Sequence, residues 1–358
     1  MKIGILGAGQ LGRMLAISGY PLNHRFGFLG ASENEPSALL GQLFINDDKS
    51  LVDFADVITF ESENTDVEKV REISKNTPVY PSEKSLFITQ HRGREKALFN
   101  KLNIPCAPYQ MVNSKQDLEQ AIDTMGLPAI LKTATEGYDG KGQFLIHEKT
   151  QINAAWESMC GVESILEGFV TFKRELSLIA VRDANNNHKY YPLVENTHHD
   201  GILRLTVAPA QSISPQVQKT AQHYMQTLLD EMDHVGILTI ELFETEDGLI
   251  TNEMAPRVHN SGHWSIEGAN TSQFENHVRA ITGLPLGDTT PSHPFCAMIN
   301  IIGKTGDTDT VLKLANAHLH LYDKEERTDR KLGHINITAN SQAELAASIE
   351  QLKSFLPD

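Results

Sequence analysis

Residues 236–257 read GILTIELFETEDGLITNEMAPR. This stretch is the most informative about the fold, because it predicts a β-hairpin with an acidic face. Leu238, Ile240 and Leu242 lie two residues apart, so the first strand has one apolar face and carries Glu241 on the other. An Asp-Gly pair supplies the turn before the return strand. A hairpin of this kind predicts an antiparallel sheet in the middle of the chain.

The register of this hairpin decides whether its acids face each other. A two-residue turn at 247–248 pairs Glu241 with Met254, whereas a three-residue loop at 246–248 pairs it with Glu253 and gives the glycine the left-handed position that such loops favour. Two facing carboxylates about 5 Å apart repel each other unless a cation lies between them. The second register therefore predicts Mg²⁺ bridging nucleotide phosphates; the alternative is a surface hairpin with solvated acids.

The segment that follows concentrates anion-binding groups. Arg257, His259 and Asn260 place a planar guanidinium, an imidazole and an amide within four residues. Arginine presents a fork that matches carboxylate-shaped anions, so we predict an oxyanion pocket. A zinc site formed by His259 and His263 would need a helix, and the polar, glycine-containing sequence between them argues against one.

A glycine-dense loop lies upstream, between two predicted strands. Lys132 closes an apolar strand, and residues 137–143 read GYDGKGQ, which suits a flap that folds over a polyphosphate. The alternative is a simple hairpin turn, and the P-loop signature is absent. The apolar run before Glu167, with Glu175 eight residues further on, suggests a pocket for adenine and ribose.

The N-terminus carries a second glycine motif, GAGQLG at residues 7–12, between a strand and a helix. A dinucleotide site also needs an acid about 20 residues later, but residues 28–32 read FLGAS. Three alternatives stay open: NAD binding, a turn that only packs a helix on a strand, and a turn that contacts another phosphorylated ligand.

Composition narrows the classes of partner. The 358 residues carry a formal net charge of -15, which gives no general affinity for nucleic acid or an anionic membrane, so small-molecule substrates are expected. No stretch approaches the roughly 20 apolar residues of a membrane span, and we expect a cytoplasmic protein. The cysteines, Cys106, Cys160 and Cys296, are too far apart to indicate a disulfide framework or a thiolate metal site.

The order of predicted elements divides the chain into three domains. Strands alternate with helices over residues 1–90, which predicts a Rossmann-like parallel sheet. Residues 91–285 mix helices with antiparallel hairpins, an α+β pattern. Residues 286–358 form a small β-rich C-terminal domain that ends in a helix.

Together these segments resemble the N5-carboxyaminoimidazole ribonucleotide synthetase family of the ATP-grasp superfamily over nearly the whole chain. The motifs that carry the resemblance are GAGQLGRM (7–14), TFESEN (59–64), GYDGKGQ (137–143), NTHHDGIL (196–203), NEMAPRVHNSGHW (252–264) and RKLGH (330–334). The resemblance implies an ATP-grasp fold and an ATP-dependent ligase that carboxylates 5-aminoimidazole ribonucleotide with bicarbonate, through carboxyphosphate. It implies ATP and Mg²⁺ without biotin, and a homodimer.

The resemblance also implies roles for individual residues. The implied ATP contacts are Arg92, Lys132, Gly137, Tyr138, Asp139, Gly140, Lys141, Gly142, Gln143, Glu167, Gly168, Phe169, Val170, Glu175, His198, Asn252 and Glu253. The implied metal ligands are Glu241 and Glu253, and the implied catalytic residues are Arg257, His259, Asn260, Tyr138 and Asp139. The implied substrate contacts are Gln10, Leu11, Arg330, Lys331 and either Glu61 or Glu63, between which the sequence does not choose.

Two positions depart from related sequences. Related carboxylases have Glu-x-Asn-x-Arg where this chain has Ala255 between Glu253 and Arg257, so Mg²⁺ must draw more oxygens from phosphate or water. Glu136 stands where a glycine is more common, from which we expect altered mobility of the flap. The alternatives in function are a formate-using glycinamide ribonucleotide transformylase or another ATP-grasp ligase, an NAD oxidoreductase, and a nucleotide sensor without turnover.

Overall fold

The computed structural model describes residues 1–137 and 142–357, and its N-terminal part is a parallel sheet with strand order β3-β2-β1-β4. The strands are β1 Lys2–Leu6, β2 Arg25–Gly30, β3 Gln42–Ile45 and β4 Val57–Phe60. The helices are α1 Gln10–Gly19, α2 Asp48–Phe54, α3 Val67–Ile73 and α4 Glu83–Thr89. The predicted Rossmann-like sheet is confirmed.

The order of these strands places two loops side by side. β1 lies inside the sheet, where Ile3 and Ile5 are fully buried, and β4 pairs with it on one side. The chain leaves β1 into residues 7–12, which we name the glycine turn, and leaves β4 into residues 61–64. Carboxyl ends of neighbouring parallel strands are where open α/β sheets bind ligands, so both loops are positioned for a site.

A four-stranded antiparallel sheet follows, with strand order β5-β8-β6-β7. Its strands are β5 Tyr109–Val112, β6 Ala129–Thr133, β7 Gln143–Ile146 and β8 Ser164–Gly168, and the accompanying helices are α5 Arg92–Lys101, α6 Lys115–Met125 and α7 Ile152–Ser158. The predicted flap lies between β6 and β7, and its residues Tyr138, Asp139, Gly140 and Lys141 lie outside the described part of the chain.

The third sheet has nine strands, with order β14-β13-β9-β11-β12-β15-β17-β16, and β10 pairs with β9. The strands are β9 Arg174–Arg182, β10 His188–Tyr190, β11 Val194–His199, β12 Ile202–Ala208, β13 Gly236–Glu244, β14 Leu249–Ala255, β15 Phe295–Ile302, β16 Ala317–Leu321 and β17 Lys331–Ala339. The helices are α8 Pro215–Met232, α9 Ser265–Gly268, α10 Gln273–Thr282, α11 Thr308–Lys313 and α12 Gln342–Gln351. Strands from the middle and the end of the chain thus join in one antiparallel sheet, because β12 pairs with β15.

The longest helix, α8, illustrates why these elements form. Ser214 caps its N-terminus and Pro215 occupies the first turn, where its missing N–H costs no hydrogen bond. Buried residues recur three or four positions apart along it and pack under the sheet, namely Ala221, Met225, Leu228, Leu229 and Met232. Among the described residues, no helix is both long and apolar enough to cross a membrane.

The hairpin formed by β13 and β14, which we name the acidic hairpin, has neither of the predicted loops. Its loop has four residues, 245–248, so the predicted three-residue loop is wrong. A bulge then shifts the register between Ile240 and Leu242 by one residue. Glu241 therefore stands opposite residues 252 and 253, because two residues of the return strand face one of the first. The bulge, which the sequence did not reveal, keeps Glu241 beside Glu253.

Candidate active site

One large cavity of about 940 Å³ lies where the three sheets meet, and it collects most of the predicted site residues. The predicted residues that line it are Gln10, Leu11, Glu61, Glu63, Arg92, Lys132, Gly137, Gln143, Glu175, His198, Glu241, Asn252, Glu253, Arg257, His259, Asn260, Arg330 and Lys331. Predicted residues that do not line it are Gly142, Glu167, Gly168, Phe169 and Val170. The cavity thus joins side chains from all three parts of the chain.

The glycine turn holds an acid of the chain itself. The carboxylate of Glu61 accepts hydrogen bonds from the backbone N–H groups of Gly9 (2.6 Å) and Gly12 (2.7 Å). A Cβ on Gly7, where φ is +121°, would lie 2.5 Å from Glu61, so glycine is needed for this close approach. Burial raises the pKa of Glu61, and the two N–H groups oppose that rise. The main-chain N–H groups of Gly9 and Gly12, which the motif made candidates for binding a phosphate, therefore bind Glu61.

Glu63, two residues later, makes a different contact. Its carboxylate binds the fork of Arg257 through two bonds, Nε to Oε2 (2.5 Å) and Nη2 to Oε1 (2.9 Å). Burial opposes ionisation, yet the charge of Arg257 lowers the pKa of Glu63 to about 2. An anion that binds this fork must therefore compete with Glu63 or join it.

The two acids of the acidic hairpin each have a basic partner. Glu241 Oε1 lies 3.2 Å from His259 Nε2, and Glu253 Oε2 lies 2.5 Å from Arg92 Nη1. Although burial raises it, the contact with His259 and the charges of His198 and Lys331 lower the pKa of Glu241 to about 2. Glu241 is therefore ionised at neutral pH.

These two carboxylates are suited to Mg²⁺. They enter one cavity from facing strands and offer oxygen donors, the ligands that this ion prefers. The described residues contain no group of three or more His, Cys, Asp or Glu side chains arranged to hold a metal ion. The donor set thus fits an ion that takes its remaining oxygens from phosphate and water, and does not fit a metal enclosed by protein ligands.

His259 is fixed at both ring nitrogens. Its Nδ1 lies 2.8 Å from Ser261 Oγ and accepts the backbone N–H of Ser261 (3.3 Å), and its Nε2 lies 3.2 Å from Glu241 Oε1. The main chain of His259 is held by Gln273, through bonds of 2.9 Å and 2.6 Å. This arrangement orients Glu241, and proton transfer by His259 requires a contact of one ring nitrogen to open.

Asn260 differs from its neighbours because its polar atoms are unused. Its side-chain amide nitrogen and oxygen are buried, and neither has a hydrogen-bond partner within the described part of the chain. Asn260 also lines the cavity. A buried polar group without a partner is costly, so this amide is available to a ligand.

Glu167 is buried beneath the cavity. Its carboxylate lies 2.9 Å from Lys132 Nζ and 3.5 Å from Lys96 Nζ, and these two charges lower the pKa of Glu167 to about 2 against the effect of burial. Its second oxygen, Oε1, is buried and has no hydrogen-bond partner among the described residues. Glu175, by contrast, lines the cavity and lies 3.0 Å from His198.

Sequence reasoning missed several residues of the cavity wall. Phe172 and Phe243 stack with ring centroids 4.6 Å apart and both line the cavity, a surface suited to a planar base. Lys324 Nζ donates to Gln10 Oε1 (2.5 Å) and joins the last part of the chain to the glycine turn. Lys324 belongs to the same charged run as Arg330, so its basic character was a signal, but a surface position was the simpler interpretation.

Comparisons with known proteins agree with this geometry. Three family models match the chain: a ribonucleotide synthetase preATP-grasp domain at residues 1–90, an ATP-grasp domain at 97–274 and a phosphoribosylaminoimidazole carboxylase C-terminal domain at 296–348. The chain is 44% identical over 362 residues to N5-carboxyaminoimidazole ribonucleotide synthase from Pseudomonas aeruginosa, covering 99% of each chain.

Two solved structures are similar over almost their whole length. The N5-carboxyaminoimidazole ribonucleotide synthetase of Thermus thermophilus has a TM-score of 0.93 and 44% identity, covering 99% of each chain. The N5-carboxyaminoimidazole synthase of Aspergillus clavatus, in complex with ADP and 5-aminoimidazole ribonucleotide, has a TM-score of 0.92 and 31% identity, covering 99% of this chain and 98% of that one.

Proposed function

This chain belongs to the N5-carboxyaminoimidazole ribonucleotide synthase family of ATP-grasp ligases, and from that premise we propose that it carboxylates 5-aminoimidazole ribonucleotide with bicarbonate at the expense of ATP. The γ-phosphoryl group passes to a bicarbonate oxygen, giving ADP and carboxyphosphate, and the carboxyl group then passes to the substrate amine with release of phosphate. The observation that carries this proposal is one cavity that contains an arginine fork, a pair of acids and a basic cluster. The named relatives favour bicarbonate over the formate-using alternative.

We propose that ATP lies between the four-stranded and nine-stranded sheets. Lys132 and Arg92 supply positive charge near the triphosphate, while Glu175 and His198 face the ribose and the stacked pair Phe172 and Phe243 receives the adenine. Phosphoryl transfer depends mainly on positioning and charge neutralisation, and these side chains provide both. The flap residues Tyr138, Asp139, Gly140 and Lys141 remain assigned from the resemblance alone.

We propose that Glu241 and Glu253 hold Mg²⁺. Their support is the shared cavity and the ionised state of Glu241. When bound there, Mg²⁺ would neutralise charge on the triphosphate. Arg92 and His259 hold the two acids in place, so the chain positions its carboxylates before any ligand arrives.

We propose that bicarbonate binds between Arg257 and Asn260. Arg257 offers the only kind of side-chain donor that grips two carboxyl oxygens in one plane, and the buried amide of Asn260 lacks a partner in the described residues. Glu63 sets the guanidinium in position and yields part of the fork to the anion. Water also accepts phosphoryl groups, so this grip is what favours bicarbonate.

We propose that the ribonucleotide lies along the glycine turn and the basic end of the cavity. Gln10, Leu11 and Glu61 form one side, and Arg330 and Lys331 offer positive charge to its phosphate from the other. The contact between Lys324 and Gln10 brings these two sides together. We therefore assign Glu61 to the ribonucleotide side and Glu63 to the bicarbonate side.

We propose the division into domains 1–90, 91–285 and 286–358, which the extents of the three family models support. We also propose a cytoplasmic homodimer, and this rests on the family resemblance alone. Light scattering after size-exclusion chromatography measures the mass directly; twice the 39.7 kDa of one chain is expected, and the mass of one chain would contradict it.

An assay of ADP release tests the reaction. With bicarbonate, we expect rapid ADP release that requires the aminoimidazole ribonucleotide and gives carboxylated product in equal amount. ADP release with formate and glycinamide ribonucleotide instead would establish the transformylase alternative. Binding of ATP without turnover in any mixture would establish a sensor.

A further inference from the structure

Three side chains on one face of α5 contact Glu253 of β14 and the residues on either side of it. Arg92, Glu95 and Lys96 stand at positions i, i+3 and i+4, which share a helix face. Arg92 binds the carboxylate of Glu253, as described above. Lys96 Nζ donates to the carbonyl oxygen of Asn252 (2.8 Å), and Glu95 Oε1 accepts the N–H of Met254 (2.6 Å). The main chain on both sides of Glu253 is thus held by side chains of α5.

This contact occurs at one edge of the nine-stranded sheet, which α5 covers. β14 is an edge strand, so the main-chain groups on its outer side have no neighbouring strand to pair with. Two residues before Glu253, the N–H of Thr251 is paired in an ordinary way, by the main-chain carbonyl of Pro105 (2.7 Å). Around Glu253 the partners are instead two ionisable side chains, Lys96 and Glu95, and burial together with the charge of Glu253 raises the pKa of Glu95 to about 8.

Covering this edge with buried ionisable side chains costs free energy. Glu95 is 3% exposed and Lys96 is 1% exposed, and burial of ionisable groups costs free energy that main-chain pairing avoids. Such an arrangement is poor as a device for stability alone. It does fix the position of one residue, because the preceding carbonyl, the following N–H and the side chain of Glu253 are all held by one rigid helix.

We propose that Glu95 and Lys96 are positioning residues that set Glu253 for Mg²⁺ and the triphosphate. This inference rests on the proposed assignment of Glu253 to that site. α5 is also tied to the end of β6, because the N–H of Arg92 donates to the carbonyl of Ala134 (2.9 Å), and to the base of the ATP site, because Lys96 approaches Glu167. The helix therefore fixes Glu253 relative to the other groups around ATP.

The test compares Glu95→Ala with Glu95→Gln and with a matched control. Asp183→Ala is the control, because Asp183 is also a buried carboxylate that accepts main-chain N–H groups, from Asn185 and Asn187 (both 2.9 Å), in the turn between β9 and β10. For each protein, calorimetry measures ADP affinity over a series of Mg²⁺ concentrations, and the melting temperature is measured without nucleotide.

We expect Glu95→Ala to need about tenfold or more Mg²⁺ for the same ADP affinity, the scale seen when groups that orient a metal ligand are lost. Glu95→Gln should stay near the wild type, since its amide oxygen also accepts the N–H of Met254. Asp183→Ala should lower the melting temperature without changing the Mg²⁺ dependence. Where Glu95→Ala fails to fold, Lys96→Met, which keeps the apolar stem and removes the donor, should show the same tenfold change.

Two results would overturn the inference, and they are distinguishable. A Mg²⁺ dependence in Glu95→Ala or Lys96→Met equal to that of Asp183→Ala would make the contacts with residues 252 and 254 purely structural, while leaving the metal assignment intact. An ADP affinity of the wild-type protein that does not respond to Mg²⁺ would remove the metal assignment of Glu253 itself, and the positioning role with it.

Discussion

The glycine turn and the acidic hairpin both present carboxylates to the same cavity, but they hold them in different ways. Glu61 is held by main-chain N–H groups of the glycine turn, within one domain. Glu241 and Glu253 are held by His259 and Arg92, whose side chains come from other elements. Main-chain donors are fixed by the fold, whereas side-chain partners can exchange with a ligand. The carboxylate at the glycine turn is therefore a fixed part of the cavity wall. The carboxylates of the acidic hairpin are held by side chains that a ligand can replace.

Arg257→Lys should have the largest effect. Lysine keeps the positive charge beside Glu63 but cannot grip two oxygens in one plane, so carboxylation should fall by on the order of 10²-fold or more, the scale of losing a transition-state donor. Mg²⁺·ATP affinity should stay the same, and the remaining ADP release should be uncoupled from product. ADP and product are measured in one reaction.

A loss of ATP affinity in that variant, with ADP and product falling together, would move Arg257 to the nucleotide site. The boundary between the bicarbonate site and the nucleotide site would then have to be drawn so that Arg257 lies on the nucleotide side.

Lys331→Ala tests the basic end of the cavity, which faces the glycine turn. If Lys331 binds the phosphate of the ribonucleotide, the KM for that substrate should rise by about tenfold, which corresponds to about 1.4 kcal/mol of lost binding. The KM for ATP should change little. Steady-state kinetics with each substrate varied in turn measures both, and equal increases in the two KM values would contradict the assignment.

Glu61→Gln tests whether the glycine turn is structural. The amide nitrogen of glutamine cannot accept from a main-chain N–H, so one of Gly9 and Gly12 loses its partner, at a cost of about 1–3 kcal/mol in the free energy of unfolding. Asp56→Asn is the control, because Asp56 also accepts a main-chain N–H, from Lys2 (2.8 Å), at an exposed position outside the glycine turn. Urea unfolding measures both, and equal stabilities of Glu61→Gln and the wild type would show that the turn does not depend on Glu61.

Two buried histidines join the N-terminal part of the chain to the start of the acidic hairpin. His277 contacts Thr59 Oγ1 (2.9 Å) and accepts the N–H of Ile237 (3.1 Å), and His234 contacts Ser85 Oγ (3.1 Å). Burial lowers the pKa of His277 to about 3 and that of His234 to about 4. Both are neutral in the folded protein.

Acidification should therefore weaken this junction. Unfolded histidine takes up a proton near pH 6.5 while the folded protein does not, so stability present at pH 7 is lost as the pH falls below 6.5. Each histidine should account for about 2 kcal/mol between pH 7 and pH 5. Unfolding free energies of the wild type and His277→Gln measure the contribution, and parallel pH curves would rule it out.

The sequence predicted more of the fold than of the local geometry. Alternating elements in residues 1–90 predicted the parallel sheet. The position of Glu241 beside Glu253 was one of two registers left open, and it was predicted from a three-residue loop that the hairpin does not have. The bulge was not predicted, because one extra residue in a ladder leaves no separate pattern in the sequence. The role of Glu61 was also hidden, because a G-x-G-x-x-G turn has the same sequence whether a phosphate or a distant carboxylate uses its donors.

Glu95 and Lys96 show the same limit at larger distance. A sequence cannot show that two ionisable residues are buried against residues 252 and 254, more than 150 positions away. Charged side chains on a helix are usually exposed, so their burial depends on packing between distant parts of the chain.

Transfer of oxygen from bicarbonate to phosphate directly tests the claim that bicarbonate is the group phosphorylated by ATP. If the cavity activates bicarbonate as carboxyphosphate, the oxygen that bridges carbon and phosphorus comes from bicarbonate and stays with phosphorus when the carboxyl group leaves. With freshly dissolved ¹⁸O-labelled bicarbonate, ATP and the aminoimidazole ribonucleotide, we expect the released phosphate to carry one labelled oxygen by mass spectrometry. Phosphate that takes its new oxygen from water alone would mean that ATP is hydrolysed without activating bicarbonate, and would contradict the account.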